Sequence, residues 1–385
     1  MLLIKLAFRN AFRHKLRSGL TILGVAVAIL AFGLLSTVVD AWYSGVEASA
    51  ANRLVARNAI SLTFSLPLAY KEKLRAIPGV TAVCQGNWFG GIYVDEKNFF
   101  ANFAYEPATL LELYPEYLVE PGQRAAFLRD RKGALVGEKL AKRFGWKVGD
   151  AITLRGTIFP GNWEMTIRAL YKGARANTDE TQLFFHWAYL DETLRATTPS
   201  RAGQAGFYLV GINDTNKAAD IARTIDAQFR NSLAETLTET EKAFQMSFVS
   251  MSDTIIMAIR IVSFVVVLII LAVAANTMAM SARERTAEYA ALKTLGFSAG
   301  TLTLLIFGES MVLSLTGAGL GLACITPAAK VFGAVMSDFL PVFQVSRQTL
   351  LLGAGSGVVV GLAAGIFPAR MAVQLRIAEA LRKVG

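Results

Sequence analysis

Ionisable side chains are sparse along much of this 385-residue chain, so those interrupting apolar runs are the ones able to do chemistry. Glu309 is one. It lies about eight residues, roughly 12 Å, inside an otherwise uncharged run, where an ionised carboxylate is costly unless paired or wet. Two readings stay open: a functional carboxylate, or a structural one turned into a helix bundle and hydrogen-bonded there. The stretch RERTAEYAALKTLGFS, residues 283–298, is the second such place. It lies between two apolar runs yet mixes both signs of charge with regular apolar positions. Taken as a helix, it puts Tyr289, Leu292 and Leu295 or Gly296 on one face, while Arg285, Glu288 and Lys293 decorate the others. That pattern predicts a short amphipathic helix at a membrane surface, longer than a simple hairpin connection requires. The plainer alternative is a solvated connector whose charges serve topology alone. Arg260 is expected to snorkel toward an interface.

Catalytic and metal motifs are missing from the sequence. It contains no GxxxxGK followed by Ser or Thr, hence no phosphate-cradling loop, and no GxSxG, HExxH or kinase set. His14 and His186 have no Cys or carboxylate cluster at ligand spacing, so no zinc or iron site is expected. Cys84 and Cys324 fall in different regions and are not expected to pair. Gly353, Gly357, Gly361 and Gly365 recur every fourth residue. Inside an apolar run such a stripe is a close-packing surface for a neighbouring helix, joined by Gly317 and Gly321 one run earlier.

The elements that must carry these residues follow from composition. Apolar residues make up 54% of the chain and its mean hydropathy is +0.43, which points to an integral membrane protein. The net charge of +10 reflects membrane topology, not nucleic-acid binding, because no basic cluster interleaved with aromatics lies away from the membrane flanks. Leu20 to Val39 is free of charge and long enough to cross about 30 Å of hydrocarbon, and longer than the core of a cleaved signal peptide. The predicted order is an amphipathic elbow at 1–18, a first span at 19–40, an outer α/β domain with stalk helices at 41–253 and a second span at 254–280. A surface helix at 281–299, a third span at 300–326, an outer loop at 327–348, a fourth span at 349–367 and a tail at 368–385 complete it.

Lys5, Arg9, Arg13, Lys15 and Arg17 precede the first span, Arg283, Arg285 and Lys293 separate the second and third, and Arg370, Arg376, Arg382 and Lys383 follow the fourth. The loop at 327–348 has only Lys330 and Arg347, so both termini are expected on the cytoplasmic side. Trp42 and Tyr43 suit the outer interface. The elbow sets Leu2, Leu6, Phe12 and Leu16 against Lys5, Arg9, Arg13 and Lys15. In the outer region AITLRGTIF and EMTIRALY alternate as strands do, GFYLVGI reads as a short buried strand, and residues 216–229 repeat apolar positions at helical spacing. Small α/β subdomains are expected. Residues 41–57 and 237–252 are nearly free of Gly and Pro, which predicts helices continuing the spans outward as a stalk.

These features together resemble the FtsX-like permeases of ABC transporters, in particular the MacB-type and lipoprotein-releasing branches. The family's stretch after its second span reads ER-x-x-E-I-G-x-L-(R/K)-A-L-G-A, matched by Glu284, Arg285, Glu288, Leu292, Lys293, Leu295 and Gly296, while Tyr289, Ala290 and Phe297 depart from it. Glu309 with Gly317 and Gly321 matches the third span. Pro368, Ala369, Arg370, Ala372, Ala380, Leu381 and Arg382 match the C-terminal P-A-R-x-A…A-L-R, and ALVGEKLAKRFGWKVGDAITLRG, residues 134–156, matches an outer-domain segment. Residues 88–117 have no close counterpart. The resemblance implies four transmembrane helices with a large extracytoplasmic domain after the first, in the bacterial inner membrane. It implies a coupling helix, Arg283 to Ser298 with Arg283 and Tyr289 included, that docks on a separate ATPase subunit. That subunit would bind ATP and Mg, leaving this chain non-enzymatic and without a cofactor. A second permease copy, or a paralogue, completes the dimer, with a periplasmic adaptor and outer-membrane duct as further partners. The implied work is mechanical transmission for export or extraction of a substrate. A signal relay that activates a cell-wall hydrolase, and a sensor without an ATPase, are the alternatives.

Overall fold

Hydrophobic spacing alone requires four membrane-length helices, and the computed structural model contains them. It describes residues 2–98, 100–175, 177–250, 252–336 and 342–374. Helices Lys15–Ala48, Asp253–Glu284, Ala299–Val335 and Arg347–Gln374 carry segments long and apolar enough to cross a membrane. A short helix, Leu2–Ala11, precedes the first, and another, Thr286–Thr294, joins the second to the third. The first span begins at Lys15, so Lys15 and Leu16 belong to it and not to the elbow. The elbow's buried face also differs from expectation. Ala7 and Ala11 are buried while Leu6 is 39% exposed, because small side chains let the elbow approach the third span, where Ala7 sits beside Gly308. The third span runs on through Pro327 to Val335 instead of stopping at 326. Proline removes one helical donor, and the following Ala328, Ala329, Lys330 and Val331 are ordinary helix residues that propagate beyond it. Arg376, Ala380, Leu381, Arg382 and Lys383, expected in the tail, lie outside the described residues.

The four spans pack around one apolar cluster. It includes Val25 and Ile29 of the first, Ile270 and Ala274 of the second, Leu313 and Ala318 of the third, and Val360 and Ala364 of the fourth. Thr349 donates a 2.8 Å hydrogen bond to Asp40, tying the start of the fourth span to the first.

Residues 42–251 form a separate compact unit. Its strands are β1 (Arg53–Asn58), β2 (Leu66–Pro67), β3 (Val80–Trp88), β4 (Gly91–Ile92), β5 (Asn102–Tyr105), β6 (Tyr117–Val119) and β7 (Gly133–Gly137). There follow β8 (Ala151–Gly156), β9 (Gly161–Gly173), β10 (Leu183–His186), β11 (Gln204–Ala205), β12 (Phe207–Ile212) and β13 (Thr236–Thr240). Separate small subdomains were expected, but eleven of the strands join in one sheet in the order β13-β1-β12-β3-β5-β10-β7-β9-β8-β4, with β6 added to β9, while β2 and β11 pair with each other apart from it. β5 with β10 and β7 with β9 are the parallel pairs.

Side-chain alternation explains why the sheet is covered on both faces. Leu54, Val83, Tyr208 and Val210 enter one core, with Ile221 and Ile225 of helix Ala218–Gln228. Their neighbours Val55, Cys84, Phe207 and Leu209 enter the core on the opposite face with Phe127 and Tyr171. Farther along the sheet Val136, Ile152, Leu154, Ile167 and Phe185 share a third cluster with Leu140 and Trp187. The stalk expectation needs correction at both ends. The first helix stops at Ala48 and 53–58 is a strand, while 236–240 pairs with it as a strand before helix Glu241–Ser250 begins. Burial decides this: Leu54, Val55 and Ala56 are each fully enclosed, which a two-sided sheet position provides and a solvated stalk does not.

Candidate functional site

The amphipathic stretch folds as helix Thr286–Thr294, ending where Gly296 adopts φ +91°. That left-handed conformation suits glycine and lets the chain reverse; the Gly296 amide bonds to the Lys293 carbonyl and the Phe297 amide to that of Leu292. The helix buries Tyr289 against Ala282, Leu302, Ile306, Ala369 and Ala372, with Leu292 packed alongside. The fourth span's Ala369 and Ala372 thereby form the seat of the connecting helix. Lys293 Nζ adds a 2.8 Å bond to the Val373 carbonyl.

The charges behave differently from a solvated face. Arg285 is buried, not exposed as expected. Its Nη1 donates to Glu309 at 2.7 Å and its Nε to Glu288 at 3.0 Å. Glu309 is equally enclosed, so the carboxylate inside the third span is the partner of a guanidinium from the junction between the second span and the connecting helix. Glu288 also accepts from Arg13, and Glu284 accepts from both terminal nitrogens of Arg17 at 2.7 and 2.8 Å. Burial works against charge on Arg285, and Tyr289, Glu309 and Glu288 more than offset it, holding its pKa above the usual arginine value. For Glu288, burial raises the pKa but hydrogen bonds from Arg285 and Arg13 outweigh it, leaving the carboxyl below its usual range. Burial pushes the Tyr289 phenol up to about 12. Glu309 also lines, with Asn10, His14, Arg17 and Ser281, a polar cavity of about 20 Å³, which has room for a single water.

The sequence-derived residues therefore divide. Arg285, Glu288 and Glu309 form one network, with Glu284 tied to Arg17 beside it. Tyr289, Leu292 and Lys293 hold the helix to the bundle. Leu295 was expected beside Tyr289 on the apolar face but is 75% exposed, and Phe297 is 39% exposed. These two are the large apolar side chains the segment presents outward. Arg283 is exposed in the last turn of the second span and makes no ion pair among the described residues. Arg13 and Arg17 were expected only as topology charges; no local sequence signal marks them as partners of Glu288 and Glu284.

The glycines lie on helix contacts. A Cβ on Gly317 would sit 2.7 Å from the Ile22 carbonyl oxygen, and one on Gly321 2.7 Å from that of Ala26, so the third span meets the first backbone to backbone. Gly353, Gly357, Gly361 and Gly365 face Leu322, Ala318, Ser314 and Phe307 of the third span in turn. Ser310 and Ser314 donate to the Gly361 and Gly357 carbonyls across the same contact.

A four-span bundle with an α/β domain inserted after the first span, and an ion-paired helix between the second and third, defines a class of membrane permease. The family model described as MacB-like periplasmic core domain matches residues 18–228, more than half of the chain, and the one described as FtsX-like permease C-terminal matches residues 260–377. The chain belongs to this family of multi-pass ABC transporter permeases, which carry a periplasmic domain and work with an ATPase partner. It is similar to an uncharacterized ABC transporter permease of Methanocaldococcus jannaschii, 24% identical over 99% of this chain and 97% of that one. It is also similar to the macrolide export ATP-binding/permease protein MacB of Chlorobaculum tepidum, 33% identical over 28% of this chain and 16% of that protein. Among solved structures, the periplasmic region of MacB from Actinobacillus actinomycetemcomitans aligns with 53% of this chain and 95% of that one at 8% identity, with a TM-score of 0.36.

Proposed function

We propose that this chain is the force-transmitting permease of an exporter or extractor. A partner ATPase, which binds ATP and Mg, docks on Leu295 and Phe297 at the cytoplasmic surface, and its closure is carried through the spans to the outer domain. Both termini lie in the cytoplasm, as the Lys and Arg of the short flanks favour. The bacterial inner membrane is the location, a second permease copy completes a dimer, and an adaptor with an outer-membrane duct is a further partner.

The observation that carries the reading is the ion-paired mounting of the connecting helix. Glu288 of the short helix pairs with Arg13, just ahead of the first span, Arg285 at its N-terminal junction pairs with Glu288 and with Glu309 of the third span, and Glu284 at the end of the second span pairs with Arg17 of the first, while two apolar side chains stay exposed beyond the helix end. A helix fixed on one side and apolar at its free end is a handle: a push on it moves the bundle instead of bending a loop. Spans so poor in charge support transmission of force over a polar conduit. The MacB-like match across the outer domain favours transport over a relay to a cell-wall hydrolase.

The test is co-purification from detergent with its partner ATPase. Leu295→Asp combined with Phe297→Asp is expected to remove the ATPase while the four-span bundle stays folded, since neither side chain packs in a core. Full ATPase recovery with the double variant would overturn the docking assignment. Leu292→Asp is a poorer probe, because Leu292 packs against the Tyr289 cluster.

A further inference from the structure

In the outer domain, Glu241 joins the ends of two helical segments. It begins helix Glu241–Ser250 and accepts from the Ala50 amide at 3.1 Å, just beyond helix Lys15–Ala48. It also accepts from Arg53 Nε and from the Tyr114 hydroxyl, each at 2.7 Å. Arg53, almost wholly enclosed, donates further to the Leu113 carbonyl at 2.9 Å and to Glu116 at 2.7 Å, and its guanidinium lies 3.9 Å from the centre of the Tyr114 ring. Burial opposes charge on Arg53; Tyr114, Glu116 and Glu241 outweigh it and keep the guanidinium ionised.

Against this cluster opens a cleft of about 430 Å³, lined by Asn52, Arg53, Glu112, Glu116, Arg175 and Thr178 among others. Small-molecule sites span roughly 300–1,000 Å³, so the cleft is large enough for a ligand. Polar and apolar groups share its walls, so a wholly apolar occupant would leave the polar ones unbonded. Charge narrows the choice. Arg53 is already neutralised by Glu116 and Glu241, whereas Glu112 and Arg175 are exposed and have no ion-pair partner among the described residues. One open carboxylate and one open guanidinium on the same cleft complement a molecule that carries an ammonium and a carboxylate.

We propose that this cleft binds a small zwitterion, an amino acid or short peptide with free ends. Its ammonium rests on Glu112 and its carboxylate on Arg175, beside the Arg53–Glu241 cluster that joins β1 to helix Glu241–Ser250. The site is independent of the ATPase-docking segment, so a failed docking test leaves it standing.

The experiment is calorimetric titration of the full chain in detergent with trialanine, its N-acetyl form and its C-terminal amide. Trialanine is expected to bind at millimolar concentration or tighter, and each cap to weaken binding roughly tenfold, the scale of one charge-assisted bond. Glu112→Gln should reproduce the loss on acetylation and make acetylation inconsequential; Arg175→Gln should do the same for amidation. Both side chains are exposed, so these variants fold. No heat with trialanine, equal binding of trialanine and both capped forms, or unchanged binding by both variants would each overturn the proposal.

Discussion

Replacing the two halves of the Arg285–Glu309 pair one at a time should give unequal results. The atoms are 2.7 Å apart and the side chains are 7% and 6% exposed, so water does little to screen either charge. Removing one partner of such a pair typically costs about 3–5 kcal/mol, because the other is left buried and uncompensated. The two orphans differ chemically. Glu309→Met strands a guanidinium that cannot shed its proton in a protein. Glu288 remains to it at 3.0 Å, but that carboxylate is 41% exposed and shared with Arg13, so the cost should lie near the lower bound, about 3 kcal/mol. Arg285→Met strands a carboxyl, which can escape its penalty by taking up a proton. Its cost should be smaller, about 1–2 kcal/mol, the price of one unsatisfied buried polar group. In the double variant both charges are gone and two methionines fill the space, which in other buried pairs is neutral or stabilising.

The assay is a double-mutant cycle on the full chain in mixed micelles, unfolding followed by circular dichroism, with amide exchange across Thr286–Thr294 as the local readout. The expected order of stability is wild type and double variant together, then Arg285→Met, then Glu309→Met, whose folding constant should be roughly a hundredfold less favourable than that of the wild type. Equal single-variant costs that simply add in the double, or Arg285→Met being the worse of the two, would refute the argument. A stable double variant that no longer couples ATP hydrolysis to transport would assign the pair to transmission and not to stability.

Two further outcomes follow from other contacts. Gly321→Ala places a methyl 2.7 Å from the Ala26 carbonyl oxygen and should cost about 1–3 kcal/mol by forcing the first span aside, whereas Gly319→Ala, with open space around it, should be neutral in the same unfolding assay; equal effects would remove the seam. His186 is buried with a ring nitrogen 2.7 Å from the Phe127 carbonyl; burial lowers its pKa, with Asp130 and Arg131 acting in opposite senses. The unfolded chain therefore binds the proton more readily, so the outer domain should lose stability as pH falls below about 6.5 and keep it above. Amide exchange at β10 measured from pH 7 to pH 5 checks this, and a flat profile, or the same slope in His186→Gln, would contradict it.

How far these features could be read in advance depends on the range of the forces that make them. The spans are legible because twenty uncharged residues have no other solvent, and β8 because Ile152 and Leu154 alternate with exposed Thr153 and Arg155. Those are local patterns with one physical solution. Residues 53–58 misled because a helix and a strand buried on both faces look alike over six residues; only pairing with β12 and β13 decides between them. The ionic mounting was least legible. Arg13 and Glu288 are 275 positions apart, Arg17 and Glu284 267, and nothing within either segment selects its partner. What selects it is packing: Ala7 against Gly308 and Gly317 against Ile22 bring elbow, first span and third span close enough for those side chains to reach. The small residues and the charges are thus one device. Enlarging Gly308 or Gly317 would withdraw the cations from Glu288 and Glu284 without touching either carboxylate, so the connecting helix should loosen from a change made one or two helical turns away.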